Sequence, residues 1–111
     1  MTVKEFISRK VEPKALNKLI VLFFYSNRDE QKIALHTENL LSSYTQAGKM
    51  HFFSIDANLH PELTKSFNVK RFPKLILIFE DKEIGRFAQE SINEALIEQI
   101  IQDLKAKNIL Q

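Results

Sequence analysis

The chain's longest apolar run is Leu19-Ile-Val-Leu-Phe-Phe-Tyr25. Rich in β-branched and aromatic residues, it predicts a strand covered on both faces. His51-Phe-Phe-Ser-Ile55 and Leu75-Ile-Leu-Ile-Phe79 predict two more interior strands. Between the first two, Ser26-Asn27-Arg28-Asp29 is turn and cap chemistry, with Asn27 or Asp29 placed to accept the free N–H groups of a helix. That helix is expected from about Glu30 to Thr45, burying Ile33, Leu40, Leu41 and Tyr44, with Gly48 as its stop.

After the second strand, Asp56-Ala-Asn-Leu-His-Pro61 reads as a loop, and Pro61 opens a short helix through about Phe67. Glu80-Asp81-Lys82 predicts a turn into a fourth strand, Glu83–Ala88. Ser91 with Glu94 forms a capping-box pattern for a last helix to about Ala106. Its expected buried side is Ile92, Leu96, Ile97, Ile100, Ile101 and Leu104. At the N-terminus, Thr2 and Glu5 suggest another capping box before Phe6, Ile7 and Val11, so a short helix is expected there, with an edge strand around Glu5–Ser8 as the competing reading. Pro13 suits the first turn of a further helical segment through Asn17.

Strand–helix–strand units give parallel neighbours through right-handed crossovers, and a tight final turn gives an antiparallel pair. The expectation is an α/β fold with a mixed four- to five-stranded sheet and helices on both faces. A chain of 111 residues suits a single domain, here 1–111. A hydrophobic share of 44% and a charged share of 27% fit a globular core. The apolar runs are too short to cross a bilayer, and no leader pattern opens the chain, so a cytoplasmic location is expected.

The chain has no cysteine, which removes disulfides and thiol catalysis together. His36, His51 and His60 lack metal-ligand spacing, so no metal and no cofactor are expected. Ser26 has no base with an orienting acid and reads as a cap residue. Asp29 and Glu30 are adjacent and point apart, which does not make an acid–base pair. With two glycines, Gly48 and Gly85, there is no phosphate-cradling loop. A net charge of +2 is weak support for nucleic acid.

The order of elements, with its local wording, resembles the thioredoxin superfamily from Leu19 to Leu104. Leu19–Tyr25 is similar to that family's central strand. Asp56-Ala-Asn, then Pro61-Glu-Leu63 and Phe67-Asn-Val69, is similar to its D-x-N-P-E-L-x-x-x-Y/F-x-V stretch with two extra residues. Arg71-Phe-Pro-Lys74 stands where the family carries x-I-P-T, and Phe79–Glu83 resembles its F-x-x-G-x hairpin. The resemblance implies a thioredoxin-like three-layer sandwich.

It also implies where the redox pair would fall, at Arg28 and Gln31 of Arg28-Asp29-Glu30-Gln31. Neither side chain forms a thiolate. Other family features are missing as well. Leu22 replaces a buried Asp of the central strand, and Asn27 replaces the aromatic before the first Cys. His36 stands for a helix-kinking proline and Gln89 for a glycine on the rim. Pro73 remains, and the resemblance implies a cis peptide before it, beside backbone groups that pair with an extended peptide. The plainer alternative is that Pro73 enters an edge strand.

Tyr25, Ser26, Asn27, Arg28, Phe72, Pro73, Lys74 and Gln89 are the candidate peptide-binding residues. On the implied fold Arg28 and Lys32 would approach Lys70, Arg71 and Lys74, a candidate anion-binding rim, against which stands an ordinary solvated mixed-charge surface. The leading functional expectation is a redox-inactive, non-catalytic module that binds a protein or peptide as an adaptor, assembly factor or chaperone. The alternatives are a component of a nucleoprotein assembly and a non-thiol enzyme acting on an anionic ligand. A homodimer built on an exposed apolar surface also stays open.

Overall fold

The computed structural model describes residues 19–88 and 91–110. The readings made for Thr2–Asn17 and for Gln89 lie outside them. Four strands form one sheet: β1 (Leu19–Tyr25), β2 (Met50–Asp56), β3 (Lys74–Phe79) and β4 (Lys82–Ala88). Their order across the sheet is β2-β1-β3-β4. β1 pairs parallel with β2 and antiparallel with β3, and β3 pairs antiparallel with β4. The central place of β1 explains its unbroken apolar sequence, because both of its faces are covered. Leu19, Val21 and Phe23 enter one core cluster, and Ile20, Leu22 and Phe24 enter the other.

The first cluster lies under α1 (Arg28–Leu40), α2 (Ser42–Gln46) and α4 (Glu94–Ala106). The second lies under α3 (Pro61–Ser66), which contributes Leu63 and is followed by Phe67 and Val69. Helices therefore cover both faces of a mixed sheet, the expected three-layer arrangement. The β3–β4 turn places Glu80 and Asp81 at φ 53° and 65°, which matches the right-handed twist of the strands it joins.

Three sequence expectations are corrected. The helix expected over Glu30–Thr45 starts two residues earlier and is split at Leu41 into α1 and α2. Asn27 takes the cap, which moves the start forward. Near the break, the Thr37 hydroxyl donates to the Ile33 carbonyl at 2.8 Å and Thr45 to Ser42 at 3.1 Å, bonds that compete with a straight helix. The second correction concerns the buried face. α1 turns Ala34 and Thr37 to the sheet, with Leu41 after it, and leaves Ile33 and Leu40 exposed at 38% and 36%. The third concerns α4, whose cap is Asn93 rather than Ser91: the Asn93 side chain accepts the Leu96 N–H at 2.9 Å. Ser91 instead donates its hydroxyl to the Ala88 carbonyl.

Candidate functional site

The site is built where β1 ends and β3 begins. The β1–β3 ladder ends with Phe24 opposite Lys74. The chain then leaves the sheet through Ser26 and Asn27 into α1. Phe72–Pro73 is a cis peptide; Pro73 is buried and Phe72 half-buried against the second core cluster. Ser26 and Asn27 thus follow Tyr25, the last residue of β1, at this end of the sheet where Phe72 and Pro73 lead into β3, with Tyr25 packed on the first core cluster and Phe72 on the second.

The first turn of α1 is tied down by its own side chains. The Asn27 side-chain oxygen accepts the Glu30 N–H at 2.9 Å. The Glu30 carboxylate reaches back to accept both the Ser26 N–H at 2.7 Å and the Ser26 hydroxyl at 3.0 Å. Together they satisfy donors that a helix start leaves free. The sequence signal for this was Asn27-x-x-Glu30, a capping box with Asn in the leading place. Arg28, Asp29 and Gln31 share this turn and are exposed. Arg28-Asp29-Glu30-Gln31 therefore comprises three solvated side chains and one structural carboxylate.

A third loop joins the site, one that the sequence marked as a connection and as similar to the family's D-x-N stretch but not as part of the site. The Ala57 N–H donates to the Tyr25 carbonyl at 2.8 Å, and the Asn58 side-chain amide donates to the Ser26 carbonyl at 2.9 Å. Asn58 is held for this by an Asx turn, its own N–H donating to Asp56 at 2.9 Å. The Asp56-x-Asn58 spacing carried that signal. Beside this loop a shallow depression of about 350 Å³ runs past Asn58, Pro61, Thr64, Val69 and Phe72.

The basic candidates are less closely knit. Lys74 is half-buried within β3, whereas Arg28, Lys32, Lys70 and Arg71 are exposed. Among the described residues the ion pairs are His36–Glu94 and Arg86–Glu83, and neither uses these cations. Arg86 does something the sequence did not announce. It donates to the Phe67 carbonyl at 2.6 Å and the Asn68 carbonyl at 3.1 Å while paired with Glu83, fastening the end of α3 to β4.

A sequence profile of thioredoxin matches residues 4–102. No curated protein matches the chain in sequence. Among solved structures, the thioredoxin of Fasciola hepatica superposes with a TM-score of 0.71 at 21% identity, covering 91% of this chain and 89% of that one. The germline-specific thioredoxin Deadhead of Drosophila melanogaster gives 0.70 at 24% identity over 93% and 94%. Mitochondrial thioredoxin 3 of Saccharomyces cerevisiae gives 0.69 at 22% identity over 93% and 91%. At such identities the structures attest a shared fold.

Proposed function

Because the chain belongs to the thioredoxin family and has no cysteine, we propose that it is a redox-inactive member that binds an extended segment of a partner protein. The binding groove lies between Tyr25, Ser26, Asn27 and Arg28 on one side and Phe72, Pro73 and Lys74 on the other. The observation that carries this reading is the β1–β3 ladder that ends with Phe24 opposite Lys74, next to a half-buried Phe72. Two chain segments converge there at the end of the sheet, where an added strand can use main-chain groups without any thiol. The role is that of an adaptor, assembly factor or chaperone in the cytoplasm, carried out by one domain.

Affinity capture from the native cell with the intact chain and with Phe72→Asp and Arg28→Glu variants tests this. Captured partners should be lost from both variants while circular dichroism stays unchanged. Full retention by both places the binding surface elsewhere. Dithiothreitol-dependent insulin reduction should not exceed the uncatalysed rate, and clear turnover would overturn the redox-inactive assignment.

A further inference from the structure

The exposed Leu40 opens onto a second groove, which Tyr25, Phe72 and Pro73 do not line. The α1–α2 segment and α4 run parallel here. At one end His36 of α1 contacts Glu94 at 2.9 Å, and at the other Lys105 of α4 lies 5.6 Å from the centroid of the Tyr44 ring in α2. From Glu94 to Lys105 α4 rises about 16 Å, three turns of helix. Between the two ends is a depression of about 400 Å³, in which Ile97 and Ile101 are buried and Leu40, Ala95, Glu94 and Glu98 are exposed. Leu40 and Ile33 lie on one stripe of α1, two turns apart, and both face solvent. Large apolar side chains left together on a helix face mark a contact surface more often than isolated ones do.

We propose that this groove docks a short amphipathic helix of a partner protein, apolar along one face and carrying Lys or Arg at its flank. Charge selects the occupant. The rim carries Glu98 and Glu94, the latter in contact with His36, and among the described residues no Lys or Arg lines the depression. Glu98 accepts from the neutral Gln102 amide at 3.2 Å and has no cation partner among the described residues. A second copy of this chain packed face to face about a twofold axis would bring glutamates against glutamates, which opposes that arrangement. The walls select the conformation. Both are helices whose backbone groups are bonded internally, so no strand edge is offered, and recognition rests on side chains at i, i+3, i+4 and i+7 of an incoming helix.

A displayed library of helix-favouring peptides, about 11 residues long to match three turns of groove, is selected on the full chain, and enriched peptides are then measured by fluorescence anisotropy. The expected winners carry an apolar i, i+3/i+4, i+7 stripe flanked by Lys or Arg. Leu40→Glu and Glu98→Lys, both at exposed positions, should each weaken them by about tenfold, and a Lys-to-Glu peptide should regain affinity for Glu98→Lys. Phe72→Asp should leave them unaffected, which separates this groove from the proposed peptide site. The proposal is overturned by an absence of enriched helices, by winners indifferent to both groove substitutions, or by sedimentation showing a dimer that Leu40→Glu dissolves.

Discussion

The side-chain amide of Asn58 donates to the carbonyl of Ser26 at 2.9 Å, joining the loop after β2 to the loop that leads into α1. This bond crosses between segments far apart in sequence and fixes the direction in which the chain leaves β1. Asn58→Ala removes it without touching the core. The expected cost is about 1 kcal/mol, read as a lower urea midpoint at unchanged slope. Asn58→Asp keeps the Asx-turn geometry but cannot donate, so it should lose a similar amount. Equal stability of all three proteins would show that the bond is not maintained in solution.

The two long helices share one design, in which an asparagine in extended backbone accepts from the third residue of the helix, Asn27 from Glu30 and Asn93 from Leu96. Asn27→Ala and Asn93→Ala should each cost about 1 kcal/mol in chemical denaturation. Ser91→Ala should cost less than Asn93→Ala, since Ser91 stands outside α4. The opposite ranking would restore Ser91 as the functional cap.

These caps mark what could be read from the sequence and what could not. Strand β1 was legible residue for residue, because a strand covered on both faces needs an apolar side chain at nearly every position and Leu19–Tyr25 supplies one. Pro61 was legible as the start of α3, but the starts of the two long helices were not, because Asn27, Asp29, Ser91 and Asn93 are all competent caps, and the choice among them depends on where the sheet places the chain. Ile33 and Leu40 were misread for a related reason. Apolar spacing shows that a stripe exists, but packing against the sheet favoured the neighbouring stripe with the small Ala34. At the site, the loss of thiol chemistry was legible from composition alone. The contribution of Asn58 was not, since it depends on a contact between distant segments.

Arg86 should be among the more sensitive exposed-strand positions. Its guanidinium donates to the Phe67 and Asn68 carbonyls and pairs with Glu83 at 2.8 Å, and Asn68 holds φ at 56° in the turn it fastens. Arg86→Ala leaves those carbonyls to water and removes several charge-assisted bonds, at an expected cost of about 2 kcal/mol. Arg86→Lys keeps the charge but loses the fork geometry, so it should recover only part of this. Hydrogen exchange should report faster opening around Phe67 and Asn68 in both variants, and unchanged protection there would remove the clamp assignment.

The head of α1 offers a direct test of the field that its first-turn side chains set up. Arg28 is the first residue of α1, where the free N–H groups of a helix favour a negative charge. Asp29 and Glu30 in the same turn oppose that effect. Arg28→Cys therefore places a thiol between a helix end that lowers its pKa and two carboxylates that raise it. Adding Asp29→Asn removes one of the carboxylates, which stabilises the thiolate and must move the pKa down. The measurement is the pH midpoint of iodoacetamide alkylation for Arg28→Cys alone and with Asp29→Asn, and the midpoint should fall in the double variant. Glu30 is unsuitable for the same test, because its carboxylate also holds the Ser26 N–H and hydroxyl. An unchanged midpoint would mean that Asp29 exerts no field on residue 28.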